Sequence, residues 1–173
     1  MTDTEVLEGK LMLAVDDEED VLDTIKEELS EFPRLTLHTA TTFEKARQYL
    51  ASYTYDLVIL DIMGVRGFDL LRISNIARLP TVMLTAHAFT PEALKQSVEL
   101  GARAFLPKEL LGTMAPFLAD VLKLNYQSVW KTALDRVATL FNKKYGSEWR
   151  ISHADFWAEF EKKLSVDDPI IIK

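Results

Sequence analysis

Acidic, hydroxyl and ammonium side chains stand directly behind short apolar runs in this 173-residue sequence. Leu11-Met-Leu-Ala-Val15 ends in Asp16-Asp17, Leu57-Val-Ile-Leu60 in Asp61 and Thr81-Val-Met-Leu84 in Thr85, while Ala104-Phe-Leu106 is followed by Pro107-Lys108. Brought to one place, three carboxylates repel by about 4 kcal/mol per close pair at an effective dielectric of about 20. A hard divalent cation removes that penalty. All-oxygen ligands and bound water suit Mg2+, and the cluster offers neither the imidazole nor the thiolate that zinc prefers. Lys108 adds a second cation beside the same pocket, an arrangement matched to a transferring phosphoryl group whose oxygens share negative charge. Asp61 is then the best nucleophile, since a carboxylate flanked by Mg2+ and an ammonium accepts phosphoryl to form an acyl phosphate. Helix capping explains Asp17 and Glu18 equally well when they are taken alone. It fails for the set, because Ile62-Met63-Gly64 after Asp61 is no helix start.

For these groups to meet, the runs that carry them must lie side by side. All four are near-continuously apolar, as strands covered on both faces are. Leu35-Thr-Leu-His-Thr39 alternates and reads as a fifth strand with one wetter face, at an edge. Helical patterns fill the intervals. Val21, Leu22, Ile25 and Leu29 make one stripe, capped by Asp17 or Glu18; Thr41-Thr-Phe-Glu44 is a capping box opening a helix through Ala46 and Leu50. Thr90 supplies a cap, Pro91 the first helical position and Glu92 a first-turn acid, and Gly101 ends that helix. Gly112 precedes another, with Phe117, Leu118, Val121 and Leu122 inward. Five strands alternating with five helices predict an α/β fold, a doubly wound five-stranded parallel sheet. Sites in such sheets form outside the carboxyl ends of the strands, where four of the five runs deliver a polar group.

Composition bounds the rest. Hydrophobic residues make up 48% and charged residues 27%, with Gly 6 and Pro 6, the balance of a soluble globular chain. A net charge of −7 argues against general polyanion binding. No run approaches the roughly 18 to 20 apolar residues of a membrane span, and Met1–Lys10, with three acids and one lysine, lacks the chemistry of a leader. The absence of cysteine excludes disulfides, thiolate zinc and a cysteine nucleophile and fits a reducing compartment, so the default location is the cytoplasm. Residues 1–123 carry 12 basic and 20 acidic groups, and residues 124–173 carry 8 and 7. That break predicts a boundary near Leu124, with one domain over 1–123 and a helical C-terminal extension over 124–173.

Asp16-Asp17, Asp61, Thr85-Ala86 and Lys108, in this order at the ends of these strands, resemble the response-regulator receiver domain of two-component signalling, over roughly Lys10–Leu124. The resemblance implies a flavodoxin-like fold in which Asp61 takes phosphoryl from a phosphohistidine on a sensor histidine kinase or phosphotransfer protein. It implies that Asp17, Asp61 and the Met63 backbone carbonyl ligate Mg2+ while Asp16 acts through water. Thr85 then bonds the phosphoryl oxygen, Lys108 pairs with it, Phe105 matches the aromatic whose rotamer reports activation, and small Ala86 leaves the acyl phosphate reachable. The sequence departs from the pattern at two places. Glu109 follows Lys108 where a proline is usual, often with a cis bond, and a cis peptide at Lys108-Glu109 costs about 2.5 to 4 kcal/mol. Val65 replaces the usual proline four residues past Asp61, with Gly64 and Gly67 expected to loosen that loop. Two rival readings are a receiver-like scaffold that is never phosphorylated and an aspartyl phosphatase of the haloacid dehalogenase type. The phosphatase needs a second acid at the position held by Met63.

Several residues have plainer alternatives. Phe105 reads as core on periodicity alone; only the resemblance makes it a switch. His87, two past Thr85, reaches toward the phosphoryl group in one reading and is an idle loop residue in the other. His38 and His153 have no partner histidine at ligand spacing, and Glu18, Glu19 and Asp20 complement a helix dipole. In the extension, Val129, Trp130, Ala133, Leu134, Val137, Leu140 and Phe141 form a helical stripe in phase with Leu118, Leu122 and Tyr126. This predicts that the last receiver helix runs on to Tyr145, bent near Asn125, with Gly146 ending it. Ser152-His-Ala-Asp155 resembles a capping box before a final helix bearing Phe156, Trp157, Phe160 and Leu164. So much aromatic surface must fold against the receiver, a second copy or a downstream partner. The long connection and mixed charges of the last helix argue against DNA binding, leaving an interaction module.

Overall fold

The structure is a computed structural model that describes residues 2–86, 90–124 and 126–164. Its centre is a five-stranded parallel sheet of β1 (Leu11–Val15), β2 (Thr36–Ala40), β3 (Leu57–Asp61), β4 (Thr81–Thr85) and β5 (Ala104–Pro107), in the order β2-β1-β3-β4-β5. The expected doubly wound sheet is therefore present, with alternating β2 at one edge as its wetter face requires. β3 and β4 are buried throughout, because helices cover both faces.

Helices α1 (Asp3–Leu7), α2 (Glu19–Leu29), α3 (Phe43–Ser52), α4 (Gly67–Ile76), α5 (Pro91–Glu99) and α6 (Met114–Lys123) surround it. The strand order reverses between β1 and β3, so right-handed crossovers send α2 to one face and α3, α4 and α5 to the other. α6 packs with α2 and α1, and α3 packs with α4. Short α1 lies within the segment read only as leader-unlike. A capping box on Thr2 and Glu5 holds it, and Val6 and Leu7 are buried.

The cap of α2 falls on one of its two expected positions, whereas that of α3 lands one position off. Glu18 occupies the N-cap of α2 without a side-chain bond, and Asp16 Oδ1 instead accepts from the Glu18 N–H at 2.9 Å. The cap of α3 is Thr42, accepting from the Lys45 N–H, rather than the Thr41 box. The cap at Thr90 with Pro91 behind it is as expected.

The extension corrects one expectation. α6 stops at Lys123, and Leu124 is extended (φ −88°, ψ 158°), so the last receiver helix does not run on. Arg103 donates to the Leu124 carbonyl at 3.2 Å, satisfying the broken chain. Asn125, where a bend was expected, lies outside the described residues. A separate α7 (Tyr126–Tyr145) packs against β5, Gly146 follows it with φ +80°, and α8 (Ala154–Leu164) returns along it after a 3-10 turn. The described residues include no helix long and apolar enough to cross a membrane.

Candidate functional site at the carboxyl edge of the sheet

β1 and β3 are neighbours with Val15 opposite Leu60, so Asp16 and Asp61 emerge side by side. On the far side Asp61 is level with Leu84, and Thr85 with Pro107. Lys108 follows immediately as the first residue of a 3-10 turn. Parallel register alone thus gathers residues separated by more than ninety positions in sequence.

Lys108 reaches across the gathered ends. Its Nζ lies 2.7 Å from Asp16 Oδ2, 3.2 Å from Asp61 Oδ1 and 3.6 Å from Glu18 Oε1. The Lys-Glu departure does not turn Lys108 away: every peptide among the described residues is trans, and the ammonium still bridges the two buried carboxylates. Burial lifts Asp61, and the Asp16 charge adds to it, so its carboxyl is pushed up to about 6 despite Lys108. Burial also raises Asp16 against the pull of Lys108. For Lys108, burial acts downward, but its bonds to Asp16 and the Asp61 charge prevail and hold it above the ordinary lysine range.

Asp17 is exposed, and its carboxylate oxygens lie within 4.8 Å of those of Asp16 and Glu18. Glu18, expected only as a helix cap or dipole partner, joins this cluster; the signal for it is the run of five acids, Asp16 to Asp20, directly after β1. Gly64 (φ +83°) packs its backbone on the Asp17 carboxylate so closely that a Cβ there would collide with it. At Gly67 a Cβ would strike the Asp61 carbonyl. These glycines therefore do not loosen the loop; they permit close approach, and Val65 between them is buried. Met63, by contrast, turns a side chain 66% exposed to solvent.

Thr85 is buried, and its hydroxyl donates to the Ala86 carbonyl at 3.4 Å. It shares with Asp61 a cavity of about 240 Å3 whose walls include Met63, Phe68, Glu92 and Gln96. Phe105 is buried in β5 opposite Met83. His87 lies outside the described residues. His38 is stacked on Tyr49 and shares a 2.8 Å hydrogen bond with the Tyr55 hydroxyl in an aromatic group on β2, and His153 lies in the extension.

Known proteins share this fold. The model of the response regulator receiver domain matches residues 12–113. A sensory/regulatory protein RpfC of Xanthomonas campestris pv. campestris is 34% identical over 107 residues, covering 57% of this chain and 15% of the relative. The chain thus spans about 15% of the length of the curated relatives it matches. Among solved structures, the receiver domain of NtrX from Brucella abortus is 28% identical with a TM-score of 0.57, covering 66% of this chain and 99% of that one. A CheY-like response regulator receiver domain protein from Methanospirillum hungatei is 25% identical, with a TM-score of 0.55 and coverage of 66% and 97%. Because the match takes in more than half of the sequence, including every strand-end group that meets at Lys108, this protein belongs to the response regulator receiver domain family.

Proposed function

We propose that Asp61 accepts a phosphoryl group from a phosphohistidine on a sensor histidine kinase or phosphotransfer protein, in a Mg2+-dependent reaction. The observation that carries the reading is the buried bridge of Lys108 to Asp16 and Asp61 at 2.7 and 3.2 Å. In the transfer, the phosphorus–nitrogen bond of the donor breaks as an Asp61 carboxylate oxygen bonds to phosphorus, and the leaving imidazole takes a proton. Lys108 holds the phosphoryl oxygens electrostatically, and the Thr85 hydroxyl turns from the Ala86 carbonyl to donate to one of them.

The donor set suits Mg2+: carboxylate oxygens of Asp16, Asp17 and Glu18 cluster beside Asp61, with no nitrogen or sulfur ligand among them. Asp17, Asp61 and the Met63 carbonyl would hold the ion, and Asp16 would act through water. Bound there, Mg2+ supplies charge neutralisation for the crowded carboxylates and the transferring phosphoryl group. Phe105 is proposed as an aromatic reporter of the switch. Residues 124–173 are proposed as the module through which the switched receiver meets a downstream protein or a second copy of the chain, with the cytoplasm as the compartment.

Incubation with acetyl phosphate and Mg2+ is expected to add one phosphoryl group per chain, read by intact-protein mass. Asp61→Asn abolishes the adduct, and unchanged labelling of that variant places the acceptor elsewhere.

A further inference from the structure

We infer that a cavity at the amino edge of the sheet, between the ends of α4 and α5 and the start of α7, binds a phosphate-type oxyanion, as the free ion or as the terminal group of a phosphomonoester. It lies at the opposite end of the strands from Asp61 and does not rest on the acceptor reading.

Leu79 and Pro80 lead into β4, Arg103 leads into β5, and Tyr126 opens α7 and with it the α7–α8 hairpin. Together with Asn75 and Arg78 they wall a cavity of about 230 Å3. Strands of five and four residues separate it from the carboxyl edge by about 15 Å. The chain carries a net charge of −7, yet two arginines and no acid stand among the described residues that line this cavity. Neither guanidinium has an ion-pair partner among the described residues, and Arg103 commits one N–H to the neutral Leu124 carbonyl.

The arginines are not needed to close the helices. After α4, the Arg78 and Leu79 N–H groups donate to the Asn75 and Ser74 carbonyls at 3.0 and 2.9 Å. After α5, the Gly101 and Ala102 N–H groups donate to the Val98 and Ser97 carbonyls at 3.1 and 2.9 Å. What stays open is a set of donors. The Arg103 Nε–H and the Tyr126 hydroxyl are buried, and neither has an acceptor among the described residues; buried donors left this way are rare and costly. Burial holds the Tyr126 hydroxyl well above the usual tyrosine range, against the pull of Trp130 and Arg103, so it keeps its proton to donate. Arg78 holds a left-handed backbone (φ +59°) where glycine is the usual residue after a helix. A Cβ on Gly101 would sit 2.7 Å from Asn75 Oδ1, so the bare glycine leaves the Asn75 amide its place in the wall.

Donors converging from α4, from the start of β5 and from α7 match a tetrahedral oxyanion, which offers oxygens in several directions, better than a planar carboxylate. A water molecule accepts from the buried donors but leaves two guanidinium charges unanswered. Leu79 and Pro80 add an apolar wall for an organic substituent.

The buried Arg103 Nε–H is itself the probe. The full chain, in EDTA, is titrated with inorganic phosphate and separately with phenyl phosphate, and the Arg103 Nε–H signal is followed by nitrogen-15 NMR. A saturable downfield shift is expected. Tighter binding of phenyl phosphate makes a monoester the source, and tighter binding of inorganic phosphate the free ion. Arg78 is exposed, so Arg78→Gln leaves the fold intact. That variant and Tyr126→Phe, both checked by circular dichroism, are each expected to weaken binding about tenfold. No shift, an equal shift with sodium chloride at matched ionic strength, tighter binding of acetate, or full affinity in either variant overturns the inference. None of these outcomes bears on whether Asp61 accepts phosphoryl.

Discussion

Burial and the neighbouring Asp16 charge lift the Asp61 carboxyl to about 6, with Lys108 giving partial relief. An acid whose pKa rises on folding binds its proton more tightly in the folded state. Its ionisation therefore costs stability above the folded value, and the cost fades as pH falls from about 6 toward the ordinary aspartate range. A shift from 3.8 to about 6 corresponds to a cost on the order of 3 kcal/mol at neutral pH. Asp61→Asn removes the charge and keeps the shape. In EDTA at pH 7 the variant is expected to unfold at higher urea than the native chain, and the gap to close as pH is lowered through 6 to 4. A variant less stable at pH 7 would mean that Lys108 already offsets the cost in full. The strand-end acids and Lys108 were legible because each follows an apolar run, and strand position alone fixes their direction. The work of Gly64 and Gly67 was not legible, since a close approach exists only once the β3–α4 loop has folded over Asp17 and Asp61.

At the scale of elements, periodicity located every strand of the sheet and the helices α2, α3, α5 and α6 around it, but named neither α1 nor α4 and misjudged continuity. Leu118, Leu122 and Tyr126 keep helical phase across Leu124, yet the chain is extended there. The phase persists because α6 and α7 each bury one stripe against the same receiver; a shared burial direction does not require a shared axis. What fixes the break is tertiary and invisible in a linear pattern: Arg103 on the Leu124 carbonyl and Trp130 on the Ala102 carbonyl. The cap of α3 moved for a similar reason, since several adjacent residues can satisfy an N-terminus and packing selects among them. Trp130→Phe preserves an edge-on ring contact with Phe160 but leaves the Ala102 carbonyl without its indole donor. A loss of about 1 to 3 kcal/mol is expected from the urea midpoint. A change within error would show that the carbonyl finds another donor, and that apolar contact alone seats α7.

For the whole molecule, the question is whether the extension is a tethered second unit or part of one cooperative structure. The sequence left three places for its aromatic surface, and the structure puts much of it against the receiver. α7 lies along β5, Phe141 and Val137 are buried, and Arg136 sits 5.6 Å from the centre of the Phe117 ring on α6. With α7 over β5, the sheet has one covered edge and one edge, β2, left to its own half-polar face, an asymmetry that limits edge-to-edge association. Burial of this kind ties the two parts together: neither α7 nor β5 can lose its structure without exposing the other. Urea unfolding followed by tryptophan emission, which senses only the extension, is therefore expected to coincide with unfolding followed by far-ultraviolet circular dichroism, which senses every helix and strand. An emission transition completed at lower urea than the dichroism transition would mean that the hairpin docks on an already stable receiver. Coincident curves instead make α7 and α8 structural members of the fold, so that a signal leaving Asp61 must alter packing within one unit rather than the position of an appended one.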